Sequence, residues 1–128
     1  MKRCGARLIL GAGLAGLSAL AIAHTTIKST VPANEAVLAQ SPLVIEIAFA
    51  HIAQLTAVAV VAEGQAPRKL EFEPLGNAFT FRLANPQLAP GRNEVRWKGL
   101  SSDGHVIGGT LVFTVDPSAV DSVAQPRN

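Results

Sequence analysis

The stretch Trp97 to Gly109, reading WKGLSSDGHVIGG, gathers most of the chain's polar chemistry. Asp103 and His105 are two residues apart, so in extended chain both side chains project to the same side. A carboxylate oxygen beside an imidazole nitrogen makes half of a metal site. The same residue types also serve without a metal, Asp103 capping a turn and His105 lying in its loop.

The remaining chemistry lies near the other end of the chain. Met1 to Arg7 is a short basic head, with Lys2, Arg3 and Arg7, followed by the uncharged run Leu8 to Ala23. That run falls short of the roughly 20 residues a membrane-spanning helix needs, and it ends in a small-x-small pattern, Ala21-Ile22-Ala23. Residues 1–23 therefore read as a cleaved secretory signal, leaving no membrane span after its removal. Cleavage after Ala23 makes His24 the first residue of the exported chain, with a free α-amine and an imidazole able to close a chelate ring on one ion. Ala19-Leu20-Ala21 offers a competing site, and cleavage after Ala21 would remove the amine from His24.

Loss of the signal also alters the charge. Lys2, Arg3 and Arg7 leave with it, so eight basic residues face nine acidic ones, a net of −1. No Lys/Arg cluster remains, which argues against a nucleic-acid partner. Cys4 and Met1 are the chain's one cysteine and one methionine. Both precede His24, so disulfide, thiolate and thioether chemistry are excluded from the exported chain.

Residues 24–115, about ninety, suffice for one domain with one core. The periodicity is that of strands, interrupted by Pro, Gly and Asn, with no helix pattern and no repeat. Strands are expected at Thr25–Thr30, at Leu43–Phe49 with Leu43, Ile45, Ile47 and Phe49 inward, and at Leu55–Ala62. Four more are marked by Leu70 and Phe72, by Phe79, Phe81 and Leu83, by Asn93–Leu100, and by Leu111, Phe113 and Val115. His51 continues the inward series of the second strand. Trp97, the single tryptophan, reads as a core plug, and Gly108-Gly109 as a bulge or a close backbone approach. Seven short strands without a crossover helix imply an all-β, antiparallel Greek-key sandwich or barrel. Residues 116–128 read as a frayed tail.

The whole of 24–115 resembles the CopC family of periplasmic copper-binding proteins. The resemblance is carried by His24, Ser29-Thr30, Pro32-Ala33, Leu88-Ala89-Pro90-Gly91, the W-x-x-x-S-x-D-x-H run from Trp97 to His105, and Gly109, Phe113 and Val115. It implies a seven-stranded cupredoxin-like or immunoglobulin-like barrel that holds one Cu(II) through His24, Asp103 and His105. The chemistry agrees: Cu(II) heads the divalent affinity order and favours tetragonal N,O ligation. Asp103 would be an oxygen ligand or a partner orienting a histidine. Where many family members place an acidic residue, this chain reads Phe49-Ala50-His51, which makes His51 a further nitrogen ligand or a hydrogen-bond partner at the site's edge. The absence of Met and Cys predicts Cu(II) binding alone, since Cu(I) selects soft sulfur. A periplasmic copper carrier or buffer follows, not an enzyme, with copper resistance as its setting and a membrane copper transporter of the CopD type as its partner. The competing readings are a histidine-brace copper monooxygenase acting on polysaccharide and a non-metal immunoglobulin-like assembly module.

Overall fold

A computed structural model describes residues 26–120 of the chain. Residues 1–25, which include the expected signal 1–23 and His24, and residues 121–128 lie outside the described residues. Seven strands form: β1 (Ile27–Val31), β2 (Val37–Leu38), β3 (Val44–Ala62), β4 (Arg68–Lys69), β5 (Asn77–Ala84), β6 (Gly91–Ser101) and β7 (Val106–Val115). A 3-10 turn, Pro117–Val120, follows. They make one curled sheet ordered β1-β3-β6-β7-β2, with β4 and β5 also hydrogen-bonded to β3. Every pair is antiparallel except β2 with β7, which is parallel.

β3 is the spine. The two strands expected at Leu43–Phe49 and Leu55–Ala62 are a single strand of 19 residues. β1 and β5 flank its first part and β6 its second, so the sheet folds over along its length. Two irregularities let one strand serve both parts. At the second, Leu55 and Ala57 pair with adjacent residues of β6, Gly99 and Lys98, so Thr56 is an extra residue. Its insertion switches the inward series from Ile45, Ile47, Phe49, Ala53 and Leu55 to Val58, Val60 and Ala62. Side chains alternate with a period of two, so a one-residue slip exchanges the faces.

The first irregularity bears on function. Ala48 pairs with Thr80 and Ala53 with Ala78, so four residues of β3, Phe49 to Ile52, stand against Phe79 alone. The bulge pushes Ala50, His51 and Ile52 into solvent. His51 therefore does not point inward, contrary to its place in the alternating series. Phe79, opposite the bulge, is likewise exposed, and Leu43 lies one residue before β3 begins and is also exposed.

The core closes around Phe49, which meets Phe81 edge-on at 5.7 Å and Trp97 edge-on at 5.2 Å. Each such pair contributes about 0.5–1.5 kcal/mol beyond its buried area. Trp97 is a core residue, as its sequence context suggests. The ladder between β6 and β7 runs unbroken from Gly91↔Val115 to Leu100↔Val106, so Gly108-Gly109 is not a bulge. It is a close approach: a Cβ on Gly109 would fall 3.0 Å from Trp97 Nε1 and 3.1 Å from Cε2. The indole fills the space of the missing side chain. That burial leaves Trp97 Nε1 with no hydrogen-bond partner among the described residues.

Two further expectations are corrected. Leu70 is buried and Phe72 half-buried, but the short strand there is Arg68–Lys69, paired with Ala59 and Val60. Of the tail expected at 116–128, Pro117–Val120 form a 3-10 turn, which Asp116 caps by accepting from the Ser118 N–H at 2.9 Å. The Pro-punctuated loop before β6 is clipped by Asn93, fully buried, whose amide accepts from Ala89 N–H and donates to the Ala89 and Gly91 carbonyls.

Candidate metal centre

The hairpin joining β6 to β7 is closed by two backbone bonds, from Ser101 N–H to the His105 carbonyl and from Gly104 N–H to the Ser101 carbonyl, both 2.9 Å. Gly104 takes φ = +85°, a conformation that glycine adopts without a Cβ penalty. Asp103 and His105 thus lie on a tight turn and not on extended chain. They still meet. His105 Nδ1 is 2.8 Å from Asp103 Oδ2. Ser101 Oγ donates to Asp103 Oδ1, and the His105 N–H approaches the same oxygen at 3.4 Å. Together these hold the Asp103 carboxyl down at about 2, the Ser101 hydroxyl first and the His105 side chain second. The carboxylate is ionised across the neutral range.

The β3–β6 ladder ends at Ala53↔Ser101. His51, on β3, and Asp103, on the turn that follows β6, each stand two residues past that last pair. Between them opens a cleft of about 290 Å³, whose lining includes Thr26, Phe49, His51, Ser101, Ser102 and Asp103. Thr26 reaches it because β1 runs alongside the bulge, its carbonyl accepting from the Ala50 N–H at 2.9 Å. Two larger grooves, about 510 Å³ between β1 and β7 and about 760 Å³ over the outer face of β3 and β6, hold no histidine or carboxylate.

The structure therefore joins Asp103 and His105 in direct contact and sets His51 on the same cleft as Asp103. His105 itself, 80 % exposed at the side chain, does not line that cleft and is tied to it through Asp103. Among the described residues no three of His, Cys, Asp and Glu come together as a metal site. Ser101 stands in the W-x-x-x-S-x-D-x-H run, but that run assigns it no role; its bond to Asp103 is visible only in the structure. Nothing in the apolar run of β3 announced the bulge that displaces His51.

A small all-β domain with a carboxylate–imidazole hairpin beside an open cleft is the class that fold and site define. Residues 27–116 match the CopC domain model. The chain belongs to the CopC family. It is similar in fold to CopC from Methylosinus trichosporium OB3b, with a TM-score of 0.59 and 23% identity over 73% of this chain and 94% of that one. PcoC from Escherichia coli, described as a copper resistance protein, matches with a TM-score of 0.53 and 22% identity, over 70% and 98% of the respective chains. A second PcoC structure, described as methionine-rich, gives 0.50 and 24% over 70% and 96%. No curated protein matches the chain. No helix of the described residues is long and apolar enough to cross a membrane.

Proposed function

We propose that this chain is a periplasmic copper carrier or buffer that holds a single Cu(II) and takes part in copper resistance. The observation that carries the reading is the Asp103–His105 contact on a hairpin whose carboxylate shares a cleft with His51 and Thr26. Thr26 is only two residues from His24 in the sequence. A chain beginning at His24 would bring an amine and an imidazole to that cleft. With the His105 imidazole they make three nitrogens, and the Asp103 carboxylate stands beside them. His51 is a fourth nitrogen within the same space.

This donor set fits Cu(II), which favours tetragonal N,O ligation. It does not fit Cu(I): every residue after Met1 and Cys4 lacks sulfur, whereas one related structure is described as methionine-rich. Membership of the CopC family supports a copper role, and the printed description of PcoC supports resistance. The partner proposed is a membrane copper transporter of the CopD type. Polysaccharide oxidation lacks a docking face, since Phe79 is the one exposed aromatic side chain among the described residues.

The test is the intact mass of the exported protein with and without Cu(II). A mass beginning at His24 and a gain of one copper are expected. A start at Ile22, or no retained copper, overturns the proposal.

A further inference from the structure

Three donors converge on the Asp103 carboxylate, and together they determine which nitrogen His105 can offer. We infer that Ser101 is a positioning residue: its hydroxyl fixes Asp103, which holds His105 in the Nδ1–H form and leaves Nε2 as its single free nitrogen. The inference rests on the copper reading only for the use to which Nε2 is put.

A carboxylate has acceptors and no donor, and a neutral imidazole carries one N–H and one lone pair. The 2.8 Å contact between His105 Nδ1 and Asp103 Oδ2 therefore requires the hydrogen on Nδ1. The lone pair is then on Nε2. Free imidazole of histidine in water favours the opposite arrangement, so the carboxylate reverses an ordinary preference. Metal-binding histidines are commonly fixed through their other nitrogen in this manner.

Asp103 could not do this unaided. Its side chain is 65 % exposed at the tip of a turn, where a carboxylate turns freely about its side-chain bonds. Ser101 removes that freedom from the sheet side. It is the last residue of β6, half-buried, and paired with Ala53 of β3. Its hydroxyl has one hydrogen and two acceptors in range, Asp103 Oδ1 and, at 3.2 Å, the His105 carbonyl. The closer bond goes to the carboxylate. The carbonyl is already served by the Ser101 backbone N–H, so the turn does not depend on the hydroxyl. With a donor on each carboxylate oxygen, Asp103 is held in the place from which it orients His105.

Long-range proton–nitrogen NMR on the metal-free protein, at a pH where His105 is neutral, reads the tautomer directly. The unsubstituted protein should show Nδ1–H. Ser101→Ala should shift the ring toward a mixture in which Nε2–H gains, and Ser101→Thr should restore the first pattern. Cu(II) affinity of Ser101→Ala should fall about ten-fold, the low end for partners of metal-bound histidines. All three proteins should fold without metal, Ser101→Ala melting slightly lower through loss of its bond to Asp103. An Nε2–H ring in the unsubstituted protein, or an unchanged tautomer in Ser101→Ala, overturns the inference. Copper failing to bind while the Nδ1–H form is present would sink the copper reading and uphold the role of Ser101.

Discussion

Asp103 has two oxygens, and the hairpin aims donors from Ser101 and from both the backbone and side chain of His105 at them. Each bond favours the ionised carboxylate, so protonation must break the set, and the group resists it down to about 2. The sign follows. A depressed carboxylate contributes to the folded turn above its ordinary value near 3.9, and the contribution is lost as pH falls from there through about 2. The Asp103 side-chain carbonyl, followed by carbon NMR, should titrate near 2 and move upward in Ser101→Ala. A midpoint near 4 in the unsubstituted protein would show that these bonds are not kept in solution. His105 is the opposite case, a group whose loss costs the fold little. Its side chain is 80 % exposed, so His105→Ala should change stability by no more than about 0.5 kcal/mol. Cu(II) binding should weaken more than about ten-fold. Paired thermal melts and copper competition titrations separate the two, and a collapse of the metal-free fold would make His105 structural.

At the scale of elements, the β6–β7 hairpin is held by what lies beneath it. Gly109 pairs with Trp97 across the ladder, and its missing Cβ is the room the indole occupies. Gly109→Ala places a methyl 3.0 Å from Nε1, and the ring must move while packed against Phe49. Such overpacking costs about 1–3 kcal/mol. The thermal midpoint should drop accordingly, with an altered near-ultraviolet signal from the single tryptophan; an unchanged melt would mean the ring has slack. Alternating apolar residues announced the strand pattern, the all-β class and the buried roles of Ile45, Ile47, Phe81, Val95, Trp97 and Phe113. They did not announce where alternation breaks. His51 follows the inward series residue for residue, and only the bulge opposite Phe79 turns it to solvent. The spacing of Asp103 and His105 pointed to a pair, although a turn and not extended chain brings them together. β2, two residues long, carried no periodicity to read.

For the molecule as a whole, the hairpin near one end of the sequence and the entry of β1 at the other share a cleft. On the proposed reading, cleavage before His24 would complete the site. A chain starting at His24 has an α-amine with an ordinary pKa of about 7.7–8.0, which must be deprotonated to bind metal. Cu(II) affinity should then fall about ten-fold per pH unit below that range, beyond the shallower dependence given by the imidazoles. Copper at 100 times its dissociation constant should stabilise this chain by about 2.7 kcal/mol. One additional residue ahead of His24 converts the amine to an amide and opens the chelate ring. That chain should bind more than about ten-fold more weakly, lose the amine's pH dependence and melt, without metal, at the same temperature, since the extension adds nothing to the core. Titrations of the two chains with Cu(II) at pH 6, 7 and 8 make the comparison (~2 pH units spanning the amine's range). Equal affinities and equal pH slopes would remove the His24 amine from the site and leave copper to imidazole nitrogens and the Asp103 carboxylate.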